Sequence, residues 1–139
     1  PSSISYTGNN RTHMIRVPDA GRFELRLMDG SSNPYLLQAG VIAAGLHGLN
    51  NKTDPGEPLS CNMYTDYRNY PNLKKLPDEI EDALDFLKNS KELKEAFGED
   101  VIKSYIKLKN IEIEDFNKNE KFDKESSVTD WEKNTTLDC

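Results

Sequence analysis

Asn10-Arg11-Thr12-His13-Met14-Ile15-Arg16-Val17-Pro18 and, after Asp19-Ala20-Gly21, Arg22-Phe23-Glu24-Leu25-Arg26-Leu27 form the stretch whose reading decides this fold. The second half alternates charged and apolar residues. On an extended strand successive side chains point to opposite faces, so Arg22, Glu24 and Arg26 share one face and Phe23, Leu25 and Leu27 the other. An ordinary surface strand carries Lys, Thr or Ser there. Guanidinium groups aimed together with a carboxylate point to a site for phosphate, carboxylate and a metal ion.

Working outward, residues 4–17 and 21–28 read as two extended segments separated by the turn Pro18-Asp19-Ala20-Gly21. Met28 to Asn33 is a loop. Pro34 then suits a first helical position behind a Ser32 or Asn33 cap. The predicted helix Pro34–Leu49 is apolar nearly all round and is expected inside a protein. Asn50-Asn51 and Asp54-Pro55-Gly56-Glu57-Pro58 end it, and residues 59–76 read as irregular. A helix opened by Pro77-Asp78-Glu79 runs to Asn89, with Ile80, Ala83, Leu84 and Leu87 as its apolar stripe. Ser90 caps a short helix that Gly98 stops after Phe97. Glu99–Asn119 is a long amphipathic helix with Val101, Ile102, Tyr105, Leu108, Ile111 and Phe116 inward. A final helix follows Ser126 or Ser127, anchored by Val128 and Trp131. The expected class is α+β: two antiparallel strands followed by a mostly helical region. Two strands are marginal alone, so further strands are expected upstream. The start at Pro1, without an initiator Met, suggests a longer parent chain.

The 139 residues suffice for one domain with a real core, yet 30% are charged and the mean hydropathy is -0.77. No apolar run reaches the length of a membrane span and no signal-peptide pattern is present, so the protein is expected to be cytoplasmic with no membrane partner. Residues 1–60 hold five Lys/Arg and five Asp/Glu; residues 61–139 hold thirteen and nineteen and supply the whole net charge of -6. That acidic balance argues against nucleic acid, while the local arginine cluster suits a small anion. Cys61 and Cys139 have no disulfide or metal spacing and read as ordinary thiols.

The segment from Asn10 to Gly56 carries Asn-Arg-Thr-His-Met-Ile-Arg-Val-Pro, Gly-Arg-Phe-Glu-Leu-Arg, Asn-Pro-Tyr-Leu-Leu-Gln-Ala-Gly, Ala-Gly-Leu-His-Gly-Leu-Asn-Asn-Lys and Asp-Pro-Gly-Glu in order. It closely resembles the C-terminal part of the glutamine synthetase catalytic domain, nearest to the type III glutamate–ammonia ligase branch that also contains γ-glutamylmethylamide synthetases. Residues 77–139 are similar to that family's terminal helices, including Ala96-Phe97-Gly98 and Thr129-Asp130-Trp131-Glu132. The resemblance therefore spans the chain. It implies a C-terminal fragment over 1–139, with active-site strands in 1–33 and the core and terminal helices in 34–139.

The resemblance implies an ATP-dependent ligase with Mg²⁺ or Mn²⁺. ATP phosphorylates the side-chain carboxylate of L-glutamate, and ammonia displaces phosphate from the γ-glutamyl phosphate. Carried over by motif, Arg11 and Arg16 contact ATP phosphates, with Arg11 also catalytic. Arg22 matches a phosphate-side arginine; the connection from Arg16 to Glu24 is shorter than in many bacterial relatives, and the nucleotide-binding lysine often found there has no counterpart, its contact left to Arg22. Glu24 ligates the metal and Arg26 holds glutamate or its phosphorylated form. A homo-oligomer is implied, a dodecamer in the intact protein. The remaining metal ligands, the glutamate-binding Gly-rich loop and the small N-terminal domain are not in this sequence, so the fragment alone is expected to be inactive.

Spacing by itself leaves Glu24 and Arg26 equally open to a structural ion pair. Arg11 and Arg16 are five apart, so both reach one site only if a bulge or strand end intervenes. His13 reads as a packed or surface group outside the site, His47 as structural and Trp131 as packing. Two other functions compete: a γ-glutamylmethylamide synthetase using methylamine, and a non-catalytic helical assembly module. The full set of Arg11, Arg16, Glu24 and Arg26 weighs against the last.

Overall fold

The computed structural model describes residues 1–120 and 128–136. Strands β1 (Tyr6–Thr7), β2 (Ile15–Asp19) and β3 (Arg22–Leu25) form one sheet in that order. Helices are α1 (Pro34–Asn50), α2 (Met63–Asp66), α3 (Ile80–Asn89), α4 (Lys91–Phe97), α5 (Glu99–Asn119) and α6 (Asp130–Thr136), with a 3-10 turn at Tyr67–Asn69. The chain divides into two compact units: Pro1–Asp29 with Lys52–Ala83, and Gly30–Asn51 with the chain from Leu84 onward. Among the described residues no helix is long and apolar enough to cross a membrane.

In the first unit β2 and β3 are the expected antiparallel hairpin, with Ile15 opposite Leu25 and Arg16 opposite Glu24. The register shifts between Arg16 and Asp19, where Pro18 has no N–H to give the ladder. Gly21 sits at φ +77°, a turn conformation that favours glycine. The expected strand over residues 4–17 is interrupted: β1 and β2 are separate, paired in parallel through Tyr6–Ile15 and Thr7–Arg16. A third strand thus joins the antiparallel pair. Ser3, Ser5 and Thr7 are buried in alternation, and the backbone of this edge also bonds to Leu59, Lys74 and Leu76. The stretch expected to be irregular folds into α2, capped by Asn62, whose Met63 is buried.

In the second unit Asn33 caps α1, its Oδ1 accepting from the amides of Tyr35 and Leu36 with Pro34 in the first turn. The expectation that α1 lies in the interior is not met: none of its residues is buried, and Tyr35 is 83% exposed. The reason is geometric. A helix apolar on every side needs cover all round, and within this unit α1 meets chiefly α4.

Ser90 caps α4, and Gly98, at φ +83°, separates it from α5 as expected. Of the stripes expected inward, Leu84 and Ile102 are buried, whereas Ile80, Val101, Leu108 and Ile111 are exposed; periodicity marks a face without supplying its cover. Helix α3 starts at Ile80 rather than Pro77, its first turn closed by the Ala83 amide to the Glu79 carbonyl. Trp131 packs edge-on against Phe116 at 5.4 Å and donates to Asp115. The cap expected at Ser126 or Ser127 and the thiol of Cys139 lie outside the described residues.

Candidate active site

Arg16 and Glu24 face each other directly across β2 and β3, so their side chains emerge on one face. Arg16 Nη1 donates to Glu24 Oε1 at 2.9 Å and to Oε2 at 2.7 Å. The other edge of the same guanidinium is held by Asn9, whose Oδ1 accepts from Nε at 3.0 Å and also from Nη2. A planar fork bound on two sides is pre-organised, and Arg16 is correspondingly buried. Arg22, two residues before Glu24 on the same face, brings Nη2 to 3.5 Å from Glu24 Oε1 and 3.9 Å from Asp19. Its side chain remains mostly in solvent.

The hydrogen bond from Arg16 holds the Glu24 carboxyl below its ordinary value; desolvation opposes, and the fields of Arg16, Arg22 and Arg11 add to the lowering. Arg11 therefore acts on the same carboxylate although it lies five residues from Arg16. A strand end makes this possible: Arg11 occupies the turn before β2 and is exposed. The ladder continues past β3, the Arg26 amide donating to the Met14 carbonyl at 2.9 Å. Arg26 Nε is buried and has no hydrogen-bond partner among the described residues.

The structure thus brings Arg16 and Arg22 each into contact with Glu24 and sets Arg11 within electrostatic reach of that carboxylate. Among the described residues it leaves Arg26 Nε a buried donor without an acceptor. A set rich in guanidinium groups fits the oxygens of a polyphosphate, and an orphaned Arg donor fits a carboxylate. The fit to a divalent cation is partial. Among the described residues no three His, Cys, Asp or Glu side chains come together, and Mg²⁺ needs several oxygen ligands, so Glu24 can be only one of a set.

Two features escaped the sequence reading. Asn9 had no local signal as the partner of Arg16. His13 is packed, as expected, but it is fully buried and bonded to Ser5 and Cys61, the latter 48 positions away.

Residues 1–134 match the family model described as glutamine synthetase, catalytic domain. The chain is 48% identical over 138 residues to a glutamine synthetase of Rhizobium meliloti (strain 1021), covering 99% of this chain and 30% of that protein. It is 38% identical over 141 residues to a glutamate–methylamine ligase of Methyloversatilis universalis, again covering 99% of this chain and 30% of the relative. A solved structure described as a GmaS/ADP complex aligns with a TM-score of 0.80 at 41% identity, covering all of this chain and 30% of that one. The chain therefore spans 30% of the length of these relatives.

Proposed function

This chain belongs to the glutamine synthetase catalytic-domain family, and we propose that it forms the arginine–glutamate wall of an ATP-dependent ligase that joins ammonia to the side-chain carboxylate of L-glutamate. The observation that carries the reading is the hairpin face itself. Arg16 and Arg22 both contact the Glu24 carboxylate there, and Arg26 Nε is a buried donor without a hydrogen-bond partner among the described residues.

The reaction moves the γ-phosphoryl group of ATP onto a glutamate carboxylate oxygen; ammonia then forms the new C–N bond as inorganic phosphate leaves. Both steps concentrate negative charge on phosphoryl oxygens, and fixed cations lower the cost of that charge. Arg11, Arg16 and Arg22 supply those cations, with Arg16 held ready by Asn9. Arg26 binds the glutamate carboxylate or its phosphorylated form. Glu24 serves as one ligand of a divalent cation, which when bound supplies further charge neutralisation at the phosphates. Other ligands come from elsewhere in a full-length protein, and the working enzyme is a homo-oligomer, a dodecamer in its intact form.

A second reading keeps the chemistry and changes the amine to methylamine. The 38% identity to a glutamate–methylamine ligase and the TM-score of 0.80 to a GmaS structure favour it. In the full-length protein, Glu24→Ala should raise the Mg²⁺ concentration required for phosphate release by about 10–100-fold; an unchanged requirement removes Glu24 from the ligand set. Product masses from an ammonia–methylamine competition separate the two amines.

A further inference from the structure

Arg11 is exposed, yet the residues around it are unusually well tied down. The Cys61 carbonyl accepts from His13 Nε2 at 2.9 Å and from Asn10 Nδ2 at 2.9 Å. The Met63 amide donates to Thr12 Oγ1 at 3.0 Å, and Asn10 Oδ1 accepts from both the Thr12 amide and the Thr12 hydroxyl at 2.9 Å. His13 has no solvent exposure at all. A carbonyl can only accept, so His13 Nε2 carries hydrogen; in the neutral ring Nδ1 then accepts from the Ser5 hydroxyl, 3.0 Å away.

We propose that His13 is a positioning residue for Arg11: with Asn10 and Thr12 it latches the turn that carries Arg11 onto the Cys61–Met63 backbone, fixing where that guanidinium meets a phosphoryl group. The inference rests on the reading of Arg11 as a phosphate contact. Three physical points support it. A buried polar network with every partner satisfied specifies one geometry, whereas apolar packing tolerates several. The latch joins residues about fifty positions apart, so it anchors the turn to a separate part of the sheet unit rather than to its own neighbours. It also flanks Asn9, which grips Arg16, so one anchored turn sets both arginines. Asn10, Thr12 and His13 all take part in these bonds, whereas the exposed Arg11 makes no side-chain hydrogen bond among the described residues. That arrangement uses the neighbours to hold the backbone and leaves one cation free for a ligand.

The test is a double-mutant cycle in the full-length protein, with His13→Leu and Arg11→Ala alone and together. It reads the dissociation constant of β,γ-imido-ATP with Mg²⁺ by calorimetry, and kcat and KM for ATP in phosphate release. A misplaced contact costs up to about 100-fold. His13→Leu should weaken nucleotide binding or turnover by about 10–100-fold when Arg11 is present. In the Arg11→Ala background its effect should shrink to threefold or less on the order of ordinary coupling error. Thr12→Val, at the half-exposed rim of the latch, provides the same cycle should His13→Leu fail to fold. Equal losses from the latch variants in both backgrounds, or no loss from either, overturn the proposal. Wild-type binding and turnover in Arg11→Ala alone overturn the reading of Arg11 itself, and the positioning role with it.

Discussion

Replacing Arg26 with Met keeps the aliphatic stem and removes a guanidinium whose Nε is shut from water without an acceptor among the described residues. A buried donor left unbonded costs about 1–3 kcal/mol, so the substitution should stabilise the ligand-free protein by about that amount. Over a chain of the relatives' length, roughly 460 residues, the usual unfolding entropy converts each kcal/mol into about 1 °C of melting temperature. Ligand-free Arg26→Met should therefore melt about 1–3 °C above wild type. Glutamate narrows that gap. At about 100 times its wild-type dissociation constant it adds about 2.7 kcal/mol to wild type through binding, and about 1.4 kcal/mol or less to a variant whose affinity has fallen about tenfold or more with the loss of its carboxylate contact. Thermal melting of the full-length protein with and without glutamate should therefore show a smaller glutamate shift in the variant, and the KM for glutamate should rise about tenfold or more. A variant that melts lower without glutamate, or that gains as much from glutamate as wild type does, refutes the reasoning. In that event the Nε either has an acceptor elsewhere in the protein or Arg26 does not bind substrate.

Glu24→Gln should change the acid limb of stability. The Glu24 carboxyl is held below its ordinary value, first by the hydrogen bond from Arg16. Near and below pH 4.3, roughly the unfolded value of a Glu, the unfolded state binds more protons than the folded one. The contribution of Glu24 is thus complete above that pH and is lost as pH falls through the lower folded value. Melting temperatures between about pH 3 and 7 should fall less steeply in the variant, and an identical slope contradicts the role of the pair. Gly98→Ala tests the junction of α4 and α5. A Cβ there meets nothing within 4 Å, so the whole cost comes from φ +83°, ψ 147°, and should be about 1–3 kcal/mol in denaturant unfolding. A cost under about 0.5 kcal/mol means the backbone relaxes out of that conformation.

Much of the local structure was legible because its causes are local. Asn33-Pro34 starts α1, Ser90 starts α4, and Gly98 ends α4 and opens α5, each through a cap or a backbone conformation set within a few residues. The hairpin was legible from the alternation of Arg22 to Leu27 and from the glycine at position 21. What was missed depends on distant partners. Strand β1 is two residues long and follows a polar Pro-Ser-Ser-Ile-Ser start, and its parallel pairing leaves no periodic trace. The bond from Asn9 to Arg16 spans a loop, and the bonds from His13, Asn10 and Thr12 to Cys61 and Met63 cross about fifty residues. The apolar faces of α1 and α5 were visible as patterns, but a pattern says which side wants cover and not whether cover is present. At the site, alternation put Arg22 and Glu24 together, whereas the inclusion of Arg16 required the register of β2 against β3.

The most direct measurement is a crystal structure of the full-length protein with ADP, Mg²⁺ and an unreactive mimic of γ-glutamyl phosphate. The expected result places a Glu24 oxygen about 2.1 Å from the metal and guanidinium nitrogens of Arg11, Arg16 or Arg22 about 2.8 Å from phosphate oxygens. Arg26 should then donate to the glutamyl mimic. A structure in which both ligands are bound while Glu24 stays clasped by Arg16, and the hairpin arginines touch neither ligand, contradicts a catalytic wall on this face.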